Sequence, residues 1–220
     1  MFRLIPVLSA DALAELRALA ASAPFVDGRI SNPHSTVKNN LQLHDSAAYE
    51  RSSEILRAAL LASEEFRSFA FPKAIAPPML TKYQPGMNYG AHADAALMFL
   101  PKGVIRADLS CTVFLSDPAT YEGGALRIAL GDGKLAFKGD PGTAIVYPST
   151  TLHEVEPVSS GERLVGLTFI QSRIGDPGKR ALLYELNEVA ALEGLTMRPE
   201  NYTRLQAVQS NLLRRWSDAP

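Results

Sequence analysis

Only four histidines occur in the chain: His34, His44, His92 and His153. His92 is followed two positions later by Asp94, at the end of the run Asn88-Tyr89-Gly90-Ala91-His92-Ala93-Asp94. In an extended segment residues i and i+2 point to the same face, so an imidazole and a carboxylate can aim together into one cavity. Held that way they occupy two adjacent corners of a metal's coordination sphere. His153 lies far downstream, beyond a run that ends in Tyr147-Pro148-Ser149. If the fold brings distant strands together, it closes a three-point facial cap. Two histidines and one carboxylate leave the opposite positions open, which suits non-haem Fe(II) with room for a cosubstrate and O2. Taken singly, His92 reads as well as a hydrogen-bonded structural residue, and His153 as a loop residue.

Arg163 comes ten residues after His153 and opens the apolar run Leu164-Val165-Gly166-Leu167-Thr168-Phe169. An arginine cannot be neutralised in a protein interior, so burial demands an anionic partner. Pointed inward, its planar fork would offer a bidentate site for a carboxylate, such as the far end of a dicarboxylic keto acid that chelates the metal. The competing reading is an exposed strand-start residue paired with Glu162 or Glu156.

These residues need a scaffold, and the composition allows one. The 220 residues are 46% hydrophobic and 20% charged, a soluble globular balance. Lys and Arg number 22 against 23 Asp and Glu, a net charge of −1, so no basic stripe suggests nucleic acid. Cys111 is the single cysteine, which forbids an internal disulfide and any thiolate-cluster metal site. The apolar start, Met1 to Ser9, is broken by Arg3 and Pro6 and is too short for a signal-peptide core. No window approaches the roughly 18 apolar residues of a membrane span. A soluble, cytoplasmic chain without membrane or nucleic-acid partners is expected.

Along the chain, residues 1–76 read as a helical and extended flank. Phe2 to Leu8 is a candidate edge strand, Ser9 caps a helix carrying Leu13, Leu16 and Leu19, and Pro24 stops it. A second helix begins near Ser46 with Ile55, Leu56 and Leu60 on one face, and Ser63 caps a third that ends before Pro72. Between them, His34 and His44 flank the polar run Lys38-Asn39-Asn40, which reads first as exposed loop and second as the lining of a substrate mouth. Residues 77–174 carry candidate strands at 79–83, 109–116, 125–130, 134–138, 143–147 and 163–172, punctuated by turn-formers such as Glu122-Gly123-Gly124. Leu109, Cys111, Val113 and Leu115 alternate with Ser110, Thr112 and Phe114, giving one continuously apolar face. Cys111 therefore reads as a small buried residue, and Ser110 and Ser149 lack a hydrolase context. Such strands fit a double-sheet jelly roll. Residues 175–220 return to helical period: Asp176-Pro177 opens one helix with Leu182, Leu183, Leu186 and Val189, and Pro199 opens another. These two pack on the body or, as the second choice, form a homo-oligomer contact. The predicted fold is mainly β with flanking helices around a jelly-roll core.

At this point the chain resembles the iron(II)- and 2-oxoglutarate-dependent dioxygenases, and among them the bacterial PKHD-type hydroxylases, named for likeness to prolyl and lysyl hydroxylases. The resemblance rests on Tyr83-Gln84-Pro85-Gly86 leading to His92-Ala93-Asp94, on Asp108-Leu109-Ser110 through Phe114-Leu115-Ser116-Asp117-Pro118, and on Tyr121-Glu122-Gly123-Gly124. Tyr147-Pro148-Ser149, Leu152-His153, Arg163, Gln171-Ser172 and the early Val37-Lys38-Asn39-Asn40 extend it over nearly the whole chain.

The resemblance implies a double-stranded β-helix with His92, Asp94 and His153 as iron ligands and catalytic centre. It implies that Arg163 binds the distal carboxylate of 2-oxoglutarate, and that Tyr83 donates a hydrogen bond to the same cosubstrate; a plain aromatic core residue is the other reading of Tyr83. Some relatives carry Ser or Thr two residues after the arginine, where this chain has Val165, and many carry Trp at the position of Phe169. The implied activity is hydroxylation of a small-molecule or peptide substrate with O2, releasing succinate and CO2, with L-ascorbate as a supporting reductant. The alternatives are a non-redox cupin-like metal enzyme, to which Arg163 would be superfluous, and a catalytically silent jelly-roll binding module.

Overall fold

The computed structural model describes residues 1–101 and 103–218. The chain begins with strand β1 (Arg3–Pro6), helix α1 (Ala10–Ser22) and the short strands β2 (Phe25–Asp27), β3 (Lys38–Asn39) and β4 (Leu41–Leu43). Helices α2 (Ser46–Ala62) and α3 (Glu64–Ala70) follow. Then come β5 (Pro72–Ile75), β6 (Met79–Tyr83), β7 (Asn88–His92), β8 (Leu97–Leu100), β9 (Gly103–Arg106), β10 (Leu109–Phe114), β11 (Glu122–Gly123), β12 (Leu126–Leu130) and β13 (Gly133–Phe137). The last strands are β14 (Thr143–Pro148), β15 (His153–Val155), β16 (Val158–Ser160) and β17 (Arg163–Ser172), before helices α4 (Pro177–Glu193) and α5 (Pro199–Trp216).

Among the described residues the strand pairs are antiparallel, and most belong to two facing sheets, the jelly-roll core expected from the strand spacing. The major sheet runs β1-β14-β10-β17-β6-β4-β2, with β5 paired to the end of β17; the minor sheet runs β13-β12-β15-β7-β3. Strands β1, β2 and β4 of the first 76 residues are thus part of the major sheet. Pairs β11–β16 and β8–β9 are two-stranded extras.

Period-2 alternation divides the major sheet between two cores. Leu109, Cys111 and Val113 of β10 and Ala144 and Val146 of β14 face helices α1 to α3, joining Leu16, Leu56, Leu60 and Phe66. Their neighbours Phe114, Ile145 and Tyr147 face the minor sheet and meet Leu126, Ile128 and Val155. Gly166 in β17 allows α2 to sit close, because a Cβ there would stand 2.7 Å from Leu56 Cδ1. The helices start where the sequence predicts: Ser9, Ser63 and Asp176 each accept a hydrogen bond from a first-turn amide, and Asp45 does the same for α2.

The C-terminal helices differ from expectation in their contacts. Within α4, Arg180, Leu183 and Tyr184 are buried, and the Tyr184 ring meets Phe69 of α3 edge-on at 5.2 Å. Leu182 and Val189, predicted for the inward stripe, are 65% and 47% exposed. Helix α5 packs along α4 and buries no residue fully. The sequence period reported amphipathic helices but not which of their apolar residues would find a partner.

Candidate active site

His92 is the last residue of β7 and His153 the first of β15, and the two are register partners across the minor sheet. Pairing sets their rings side by side, with centroids 4.3 Å apart. Asp94 lies just beyond the end of β7, so the strand itself carries only the histidine. The turn still delivers the carboxylate: Asp94 Oδ1 is 3.9 Å from His92 Nε2, and Asp94 Oδ2 is 3.6 Å from His153 Nε2. One ligand atom from each residue lies within 4.8 Å of the others, and among the described residues this is the one such trio of metal-binding side chains.

The surroundings orient all three. His92 Nδ1 lies 2.8 Å from the Gly90 carbonyl and His153 Nδ1 2.9 Å from that of Thr151. A carbonyl can only accept, so each Nδ1–H donates and each Nε2 lone pair is left for a metal. Ser110 Oγ donates to Asp94 Oδ2 at 2.5 Å and is itself 2.8 Å from Ser149 Oγ. Tyr89 stacks on His92 at 3.6 Å, and Tyr147 meets His153 edge-on at 5.1 Å. Burial, and secondarily the nearby His153, lower the His92 pKa, which favours the neutral imidazole a metal requires.

Arg163 opens β17 opposite Tyr83 of β6, 1% exposed. Its Nε and Nη1 have no hydrogen-bond partner. The carboxylates that offered an ordinary ion pair are engaged elsewhere: Glu162 with Lys82 at 3.3 Å, and Glu156 with Arg127. The exposed-strand reading of Arg163 is therefore overturned. Gly124, with φ of +63°, makes room for it, since a Cβ there would stand 3.1 Å from Arg163 Cδ. Tyr83 is equally buried; its hydroxyl accepts from Asn40 Nδ2 at 2.9 Å, and burial raises its pKa, so it keeps its proton.

The trio, Arg163 and Tyr83 all line one cavity of about 580 Å³ between the sheets. Leu97, Phe99 and Leu100 of the β8–β9 hairpin, which sequence reasoning missed, form part of its wall. The loop reading of Lys38-Asn39-Asn40 is also corrected. Lys38 and Asn40 are 9% and 2% exposed and face this cavity, because the segment crosses from the minor sheet at β3 to the major sheet at β4. Burial lowers the Lys38 pKa to about 8, leaving it cationic at neutral pH. His34 and His44 are exposed and take no part. Ser110 and Ser149 were missed as site residues. The strict alternation of residues 109–115 was the available signal, since it turns Ser110 away from the helices.

Residues 78–171 match the family model of the 2OG-Fe(II) oxygenase superfamily. A PKHD-type hydroxylase of Sphingopyxis alaskensis is 63% identical over 216 residues, covering 98% of this chain and 99% of that one. The chain belongs to the PKHD-type hydroxylases. Another, from Thermosynechococcus vestitus, is 41% identical with 96% of each chain covered. Among solved structures, a Pseudomonas putida prolyl-4-hydroxylase shares the fold with a TM-score of 0.54 at 22% identity, covering 78% of this chain and 92% of that one. A Trichoplax adhaerens prolyl hydroxylase superposes with a TM-score of 0.58 at 15% identity, covering 82% and 86%. As a PKHD-type hydroxylase the protein is an Fe(II)- and 2-oxoglutarate-dependent dioxygenase, and the cupin-like and silent-module alternatives fall away.

Proposed function

We propose that His92, Asp94 and His153 bind the catalytic Fe(II), and that Arg163 with Tyr83 anchors the distal carboxylate of 2-oxoglutarate. The observation that carries this reading is Arg163. A guanidinium 1% exposed with two unpartnered nitrogens, in the same cavity as a two-histidine, one-carboxylate trio, supports an anion-binding role. The donor set fits a ferrous ion, and the orphaned nitrogens fit a carboxylate. Bound iron and 2-oxoglutarate supply the redox chemistry, in which O2 is reduced, the keto acid is converted to succinate and CO2, and substrate carbon is hydroxylated.

The protein's own contribution is geometric and electrostatic. The Gly90 and Thr151 carbonyls lock both imidazoles with Nε2 inward, and Ser110 fixes the Asp94 carboxylate so that Oδ1 is the freer ligand oxygen. Tyr83, neutral and braced by Asn40, can donate its proton to the carboxylate that Arg163 holds. Tyr89 and Tyr147 shield the imidazoles, and the side chains of His92, Asp94 and His153 are only 15%, 12% and 6% exposed, which limits bulk water at the reacting centre.

In this reading residues 77–174 carry the iron and cosubstrate ligands, residues 1–76 complete both sheets and part of the cavity wall, residues 175–220 flank them, and L-ascorbate serves as the reductant that rescues oxidised iron. A cytoplasmic location is part of the same proposal; separately, among the described residues no helix is long and apolar enough to cross a membrane, and the single cysteine is buried. The test is cosubstrate turnover. Succinate release that depends on added Fe(II), and that is lost in His153→Ala and Arg163→Ala, is expected; full activity in either variant contradicts the assignment.

A further inference from the structure

Arg163 is not the only cation buried in the cavity. Lys38 is 9% exposed, and lysines are almost never buried without a counter-charge. It stands on β3 of the minor sheet as the register partner of Tyr89, the residue stacked on His92, whereas Arg163 stands on the major sheet. Lys38 Nζ donates to Ser31 Oγ at 2.7 Å. The same oxygen accepts from Gln42 Nε2 at 2.9 Å, so the ammonium is held in place by a neutral group. None of the ion pairs among the described residues includes Lys38. Among the described residues Asp94 is the one acidic residue lining the cavity, and it is taken up by the trio and by Ser110.

Charge balance then points to a missing anion. With the site loaded as proposed above, Lys38, Arg163 and a ferrous ion bring four positive charges. Asp94 and 2-oxoglutarate bring three negative ones. Among the described groups one positive charge remains, on Lys38, in a cavity whose exposed lining includes Leu97 and Phe99 beside the neutral Ser31 and Asn32. The Tyr89 ring, 5.7 Å from Nζ, and the more distant Asp27 and Asp94 ease this burial, but Asp27 is paired with Arg29 and Asp94 belongs to the trio, so the remaining cost of the buried ammonium is returned to an anionic ligand. A single remaining charge matches a carboxylate better than a phosphate dianion.

We propose that the primary substrate carries a carboxylate that docks on the Lys38 ammonium, with Gln42 and Ser31 holding the lysine for it. This rests on the hydroxylase reading above, with 2-oxoglutarate placed at Arg163. Lys38 is thereby the specificity residue that separates organic acids from neutral compounds of the same shape.

The test needs no knowledge of the natural substrate. Zinc-loaded protein saturated with 2-oxoglutarate is titrated calorimetrically with phenylacetate and with its neutral isostere phenylacetamide. Phenylacetate is expected to bind at least about tenfold more tightly, the value of one charge-assisted hydrogen bond. The preference should vanish in Lys38→Met and persist in Lys38→Arg, with 2-oxoglutarate affinity unchanged in both. Equal or undetectable binding of the two probes to the wild type overturns the proposal and needs no variant to fold. So does a preference that survives in Lys38→Met, which would show the carboxylate held elsewhere. Loss of 2-oxoglutarate affinity in Lys38→Met would assign the lysine to the cosubstrate instead. Failure of the zinc-loaded wild type to bind 2-oxoglutarate would overturn the underlying site assignment, and this proposal with it.

Discussion

Arg163 and Tyr83 face each other as register partners across β17 and β6, with the guanidinium carbon 4.9 Å from the centroid of the phenol ring. The aromatic face eases the burial of the cation without neutralising it. Replacing Arg163 with Met is expected to weaken 2-oxoglutarate binding by about 30-fold or more, the usual effect of truncating a buried charge pair. The melting temperature of the ligand-free protein should not fall, because the variant removes an unpaired buried charge. Calorimetric titration and thermal unfolding check the two halves separately.

The Ser110 hydroxyl fixes Asp94, and Ser149 in turn contacts Ser110. Ser110→Ala should therefore lower metal affinity by about 10- to 100-fold while leaving the trio's identity intact, the usual range for residues that orient ligands. Competition against a chromophoric chelator measures it; an unchanged affinity would mean the carboxylate needs no such support.

Gly124 combines a φ of +63° with crowding, since a Cβ would stand 2.9 Å from Val158 Cγ2 and 3.1 Å from Arg163 Cδ. Gly124→Ala should cost about 1–3 kcal/mol of stability through backbone strain and displaced neighbours. It should also weaken 2-oxoglutarate binding by shifting Arg163. Gly131, with φ of +58° and open space around it, is the control: Gly131→Ala carries the backbone cost alone. Urea denaturation of the pair separates strain from crowding.

Cys111 is 1% exposed, and burial pushes its thiol up to about 12. Native protein should resist iodoacetamide at pH 8, and even at pH 10 while folded, because neither thiolate nor access is present. Mass spectrometry should find the adduct only after denaturation. Rapid native labelling would contradict the placement of Cys111 against the helices.

Much of the site was legible because its signals are local. The two-residue spacing of His92 and Asp94, and an arginine heading an apolar strand, carry their chemistry in the sequence itself. The alternation from Leu109 to Leu115 announced a strand with two different faces. What escaped depends on long-range pairing. Ser110 meets Asp94 and Ser149 only after β10 pairs with β14 and β7 folds over the cavity. Lys38 and Asn40 look like loop residues until β3 and β4 join different sheets. Leu182 shows the converse, an apolar residue in correct helical phase that stays 65% exposed among the described residues.

The central claim is that one cavity holds iron at His92, Asp94 and His153 and 2-oxoglutarate at Arg163. Anaerobic titration of the Fe(II)-loaded protein with 2-oxoglutarate, followed in the visible spectrum, tests both at once. A weak absorption band that requires both components, and that disappears in His153→Ala, is predicted. Iron binding without any such band, or a band that survives in His153→Ala, would contradict it.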